Sequence, residues 1–207
     1  MEKRYHKHTI KQIVFLGGFF LFLTLTYSSF STIITYIYEH HDGYEHLGPV
    51  LLIANYGTFM LCNILAPFVK ISYKKQLIIG AICYTINYAI EIPVILSPFG
   101  VFLLILGSVL GGLGAAIVWV SQGGFMTGLF DKYHRPSHYH GRYWGLLNGI
   151  VFSNILLGSC VTTFGLGFMG DTEYFMILTA LGGVSILFGT FLLEDVQDQK
   201  TAYFHFA

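Results

Sequence analysis

Glu91, in the run Asn87-Tyr88-Ala89-Ile90-Glu91-Ile92-Pro93, is a carboxylate set inside an otherwise uncharged apolar stretch. A charge in hydrocarbon is costly and is commonly kept for a proton relay, an ion path or a partner contact. Lying near one end of its stretch, Glu91 could equally reach water or a neighbouring tyrosine, which is the purely structural reading. Two histidine groups invite a metal: Glu39, His40, His41, Asp42, Glu45 and His46, then His134, His138 and His140. Imidazole and carboxylate bind zinc or copper, but neither group follows a known ligand spacing. Both read as solvated loops suited to partner contact or mild pH sensitivity, with no resident metal. The chain has no Ser-His-Asp order, no G-x-x-x-x-G-K cradle and no dinucleotide fingerprint; the glycines of 107–128 follow no strand. The expectation is a protein that is not an enzyme and carries no cofactor.

The elements that must position these residues are apolar. Of 207 residues, 54% are hydrophobic and 11% charged, with mean hydropathy +0.63, whereas soluble domains carry roughly 25% charge. A bilayer core about 30 Å thick is crossed by about 20 residues of helix, and the apolar segments 12–38, 47–69, 76–96, 99–130, 143–170 and 174–193 have that scale. Backbone groups in lipid must be satisfied internally, and glycine-rich blocks of this length suit helices rather than barrel strands. The sequence predicts an all-α membrane protein of six transmembrane helices, with a bundle over 12–193, a basic segment 1–11 and a tail 194–207. Net charge is zero and the basic residues are scattered, which disfavours nucleic acid. Cys62, Cys83 and Cys160 fall in apolar runs and read as buried small hydrophobes.

Orientation follows from the eleven basic residues. Lys3, Arg4, Lys7, Lys11, Lys70, Lys74, Lys75, Lys132, Arg135, Arg142 and Lys200 all precede the first segment or lie in alternate connections. By the positive-inside rule both termini face the cytoplasm or its organellar equivalent, and 39–46, 97–98 and 171–173 face the other side. The run 12–38 is too long for a signal peptide, and no Asn-x-Ser/Thr sequon occurs. These features fit several membranes, the mitochondrial inner membrane among them. Gly107 with Gly111, Gly124 with Gly128, and the ladder Gly141, Gly145, Gly149, Ser153 form small-residue stripes at helical spacing. They predict close helix packing, with a substrate path as the other reading. Asn63-Ile64-Leu65 and Asn154-Ile155-Leu156 recur in the second and fifth segments, as two three-helix repeats would produce.

The stretch 107–127, GSVLGGLGAAIVWVSQGGFMT, is similar to the glycine-rich fourth helix of the Unc-ninety-three branch of the major facilitator superfamily. In the right order around it, 56–75, YGTFMLCNILAPFVKISYKK, resembles that family's second helix and basic loop, and 140–158, HGRYWGLLNGIVFSNILLG, its fifth. The resemblance covers most of the chain and implies half of a major-facilitator fold, a 3+3 inverted repeat. Family members have twelve spans in two halves, so this chain is expected to be the N-terminal half. Its loop keeps Lys70, Lys74 and Lys75 without the Asp-Arg and Gly-Arg-Arg character of typical transporters. Alternating access needs two bundles around a midplane site, so a half must pair to transport.

The resemblance implies regulation of potassium channels by association, or trafficking and anchoring of partner membrane proteins, with transport in a minority of relatives. It places Tyr27, Asn55, Trp119, Gln122 and Asn148 on cavity helices as candidates for a solute site. The alternative for such groups is interhelical hydrogen bonding, worth about 0.6–2 kcal/mol each. It also makes the third helix peripheral, so Glu91 becomes a candidate docking residue. Terminal segments fray unless something holds them, and Tyr203, Phe204 and Phe206 in the tail are candidates for the same role. The leading expectation is a non-catalytic accessory or structural subunit of a larger membrane complex, with the lipid bilayer and other membrane subunits as partners. The alternative is a solute or ion transporter formed by pairing two six-helix halves, as a homodimer or with a second half-transporter.

Overall fold

The computed structural model describes residues 2–39, 46–65, 68–69, 71–94, 100–133, 139–165, 168 and 170–196, with no strand among them. Six helices follow in order: α1 (Glu2–Glu39), α2 (Leu47–Leu65), α3 (Tyr73–Val94), α4 (Gly100–Lys132), α5 (His140–Gly165) and α6 (Asp171–Leu192). Helix α1 begins well ahead of the apolar run at Gln12, because the Glu, Lys and Arg of the basic leader are good helix formers. Helix α2 stops at Leu65, shortly before Pro67 in the sequence, and helices usually end at or ahead of the residue that precedes a proline because the ring disfavours helical geometry there. At the start of α6 the Glu173 carboxylate reaches back to accept the Gly170 N–H at 2.8 Å, satisfying a donor the helix itself leaves orphaned.

Five of the helices are long and apolar enough to cross a bilayer: α1 over His6–Ser31, α2, α4, α5 over His140–Thr162 and α6 over Thr172–Leu192. Over its described residues helix α3 is not among them, since there it opens on Lys74, Lys75 and Gln76 and carries Asn87 further along. Helix α4 packs chiefly on α3 and α2, α1 packs on α5 and α6, and α3 packs on α6. The inner pair is α1 and α4, with 61% and 50% of their apolar windows buried, against 17%, 29% and 28% for α2, α5 and α6. Phe19, Phe20, Leu23 and Phe30 of α1 and Leu104, Val118, Phe125 and Leu129 of α4 form much of the core, with Tyr84 and Tyr88 of α3. Outward, α2 exposes Ile53, Met60, Leu61, Ile64 and Leu65, and α5 exposes Phe152, Leu156, Val161 and Phe164. Such surface would be an aggregation hazard in water and is ordinary against lipid tails.

Close backbone approach is concentrated on α4. A Cβ on Gly114 would lie 2.7 Å from the Gly80 carbonyl oxygen and 2.8 Å from Cys83 Cβ, so α3 and α4 meet glycine to glycine. One on Gly112 would strike the Asn55 carbonyl, and one on Gly124 the Tyr73 ring. Gly128 is half-buried on the same helix. Across the α1–α5 seam, a Cβ on Gly158 would come 2.8 Å from Leu25 O. There Ser28 Oγ donates to Ile155 O at 3.0 Å and Ser29 Oγ to Gly158 O at 3.1 Å.

The ladder Gly141, Gly145, Gly149, Ser153 departs from the expectation of close packing within the bundle. Among the described residues a Cβ at any of its three glycines meets nothing within 4 Å, and the Ser153 hydroxyl turns back to Gly149 O at 2.8 Å. The buried face of α5 is instead Tyr143, Leu147, Val151, Asn154, Gly158 and Thr162. The two stripes are offset by two residues, which is about 200° around a helix of 3.6 residues per turn. The ladder therefore lies on the side of α5 opposite α1.

Candidate functional site

The polar interior is built on α2, α3 and α4. Asn55 of α2 is buried and donates its Nδ2 to Ser108 O of α4 at 3.2 Å. Beside it Asn87 of α3 is 0% exposed, and both amides rest on the α4 glycines. A Cβ on Gly111 would be 2.7 Å from Asn55 Nδ2 and 2.9 Å from Asn87 Nδ2, and one on Gly107 would be 3.1 Å from Asn87 Oδ1. Gly107 and Gly111 are thus packing residues whose neighbours are amides rather than hydrocarbon. Nearer the α3 start, Gln76 donates Nε2 to Val69 O at 3.0 Å and to Ile71 O at 2.8 Å, while its Oε1 accepts from Ser121 Oγ at 2.7 Å. One side chain thereby ties the approach to α3 onto α4.

A phenolic cluster continues from α3 to α1. Tyr27 is half-buried, meets the Tyr84 ring edge-on at 5.4 Å and reaches the Tyr56 phenol. Tyr84 stacks on Tyr88 at 6.2 Å, and Thr26 Oγ1 lies 3.5 Å from Tyr88 Oη. Of the other cavity candidates, Trp119 is exposed, 5.6 Å from the Phe20 ring, Gln122 is buried, and Asn148 is half-buried on α5. The five candidates are spread over α1, α2, α4 and α5. The contacts of Tyr27 run to Tyr84 and Tyr56 and those of Asn55 to Ser108, so these do not bind the set into one polar cluster. Asn87 and Gln76 were not singled out from the sequence. The available signal was a polar residue within an apolar run one helical turn from Glu91, and another at the edge of the same run.

The Glu91 side chain lies outside the described residues, as do Tyr203, Phe204 and Phe206 and most of both histidine groups. His140 is described and stacks on Phe130 with ring centroids 4.2 Å apart. Among the described residues no three His, Cys, Asp or Glu side chains gather as a metal site. Cys62 and Cys83 are half-buried and Cys160 is exposed on α5, against the expectation that all three lie inside. Apolar neighbours in sequence do not decide which side of a helix faces the bundle.

At the basic end, the segment after α6 is clasped. Glu194 accepts from Lys132 Nζ and Tyr133 Oη, each at 2.8 Å, and its backbone N–H donates to Gln12 Oε1 at 3.0 Å. Two residues on, Val196 O accepts the Tyr73 N–H at 3.3 Å. Desolvation alone would raise the Glu194 carboxyl, but the hydrogen bonds from Lys132 and Tyr133 and the charges of Lys132 and His8 hold it below its ordinary value. Desolvation, then the bond to Glu194 and its charge, push the Tyr133 phenol up to about 12. Nearby His6 Nδ1 and Tyr143 Oη are 2.7 Å apart, and His8 stacks on Tyr133. The clasp holds the segment after α6 to the end of α4 by charge-assisted bonds from Lys132 and Tyr133, and to α1 and α3 by neutral bonds at Gln12 and Tyr73.

No family model matches the chain. Over 168 residues, 77% of its length, it is 27% identical to Protein unc-93 homolog A of Bos taurus. The match takes in 35% of that protein, so the chain spans about a third of the length of this relative. Five apolar helices and this similarity describe an integral, multi-pass, helical membrane protein with an Unc-93-like relationship.

Proposed function

We propose that the chain is a non-catalytic accessory subunit of a larger membrane complex, built as a six-span, Unc-ninety-three-like half of a major-facilitator fold. The observation that carries this reading is the open, exposed glycine ladder of α5, Gly141, Gly145 and Gly149, against which no atom of the described residues lies within 4 Å of a built Cβ. Apolar side chains alone give helices little reason to associate in lipid, whereas a small-residue ladder admits a second backbone at close range. The half-fold reading is supported by the helix pairings. Exchanging α1 with α4, α2 with α5 and α3 with α6 turns the α4–α2 and α4–α3 seams into the α1–α5 and α1–α6 seams and returns α3–α6 to itself. Helix α3 completes six crossings: its 22 residues extend about 33 Å at 1.5 Å each, and α4 and α6 screen it from lipid on two sides.

Transport by two paired halves is the second reading, favoured by the incompletely buried Tyr27, Trp119 and Asn148, a polar and aromatic wall suited to solute contact. The deciding experiment is affinity purification of the tagged full chain in mild detergent, with mass and composition of what co-migrates. Unrelated membrane subunits in fixed stoichiometry are expected. A homodimer or a paired half-transporter alone would sink the accessory reading and move the assignment to transport. Glu91→Ala is expected to weaken co-migration, and unchanged assembly would remove Glu91 from the docking surface.

A further inference from the structure

Three buried amide atoms at the α2–α3–α4 junction have no hydrogen-bond partner: Asn55 Oδ1, Asn87 Oδ1 and Asn87 Nδ2. Asn55 is 3% exposed and Asn87 0%, so bulk water does not reach them. Both side chains lie against Gly111 of α4, where any side chain would displace them, and Asn87 reaches on to Gly107. In a membrane interior an unmet amide is heavily penalised, because no lipid group replaces the lost bond. Three at one place call for a shared occupant.

The chemistry of the orphaned atoms selects that occupant. Two are acceptors and one is a donor. A bare cation would suit the two oxygens and face an N–H; an anion would suit the N–H and face two oxygens. Exchanging the oxygen and nitrogen of Asn87 leaves the same inventory, since both of its atoms are unmet. A neutral molecule that donates twice and accepts once matches all three. We infer that Asn55 and Asn87, seated on Gly107 and Gly111, form a binding site for a single structural water joining α2 and α3 to α4. Its three hydrogen bonds are the usual number for a buried water. The site turns the tightest seam of the bundle into a hydrated joint.

Water-edited solid-state NMR on the full chain, asparagine-¹⁵N-labelled and reconstituted in phosphatidylcholine vesicles, tests this directly. The Asn87 side-chain NH₂ resonance, identified by its loss in Asn87→Leu, is expected to receive magnetisation from water as quickly as solvent-exposed amides do. No transfer to that resonance would overturn the site. So would a direct Asn55–Asn87 correlation without water, which would mean that the amides bond to each other. Thermal unfolding in detergent gives an independent reading. If the amides are bridged, Asn87→Leu lowers the midpoint; if they are simply unmet, removing them raises it. Should Asn87→Leu not fold, the side-chain resonance is assigned by selective Asn-pair labelling of the unmodified chain and the transfer measurement stands alone.

Discussion

Glu194 shows how much a single exposed-end carboxylate can be asked to hold. Its pair with Lys132 is 43% and 30% solvent-exposed on the two sides, so salt and water screen it and its worth is limited to about 1 kcal/mol. The folded carboxyl lies below its ordinary 4.5, so the contribution is complete above that value and is lost as pH falls through the lower folded value. Glu194→Gln is expected to lower the unfolding midpoint slightly at neutral pH and to match the unaltered chain once pH is well below 4.5; a gap that persists in acid would refute the charge account. The amide site behaves differently. Gly111→Leu would drive a side chain into both amides and should cost about 1–3 kcal/mol or more by overpacking, measured as the denaturation midpoint in detergent. Asn55 was legible in the sequence by its type. Asn87 was not, because an asparagine in an apolar run takes its meaning from the phase of α3 against α4, which one sequence does not specify.

At the level of the helix, hydropathy located the elements well and misplaced some of their ends. The first apolar segment opens at Gln12 while α1 opens at Glu2, since hydropathy stops where the bilayer does and helix propensity does not. Segments 47–69 and 143–170 run past the ends of α2 and α5, at Leu65 and Gly165, because apolar residues continue beyond the helix. The glycine stripes were legible as places of close approach, but not which of them are filled. Helix α5 carries small residues on two opposite faces, and only the Gly158 face meets α1. Gly158→Leu should therefore destabilise the isolated chain by about 1–3 kcal/mol, whereas Gly145→Leu should leave its unfolding midpoint unchanged and weaken only co-purification of partners. If the two variants lose stability equally, the ladder is part of the bundle after all.

As a whole, the molecule has a buried spine of α1 and α4, with α2, α5 and α6 far more exposed. Composition alone made its membrane character legible, and the alternation of basic connections supplied an orientation. The helix pairings were not legible, because nothing local records which helix neighbours which. Cys160, exposed on α5, reports on the exposed side of that helix. On the accessory-subunit proposal, a lipid-soluble maleimide labels it readily in the purified chain and slowly in the native assembly. Equal labelling in both would place the partner elsewhere.

The polar character of α3 bears on how the chain enters the bilayer. Helix α3, which opens on Lys74, Lys75 and Gln76, is less apolar than α4 and meets it through Gly80 and Gly114. The two are separated only by 95–99. Insertion of α3 should then wait for its successor: a nascent chain cut after Val94 is expected to leave α3 on the side where it was made, and one extended through Lys132 to carry both across as a hairpin. On the six-span proposal, translation ties the third crossing to the fourth, so a substitution in α4 that spoils the glycine contact would act first as a fault of biogenesis and only afterwards as a loss of stability.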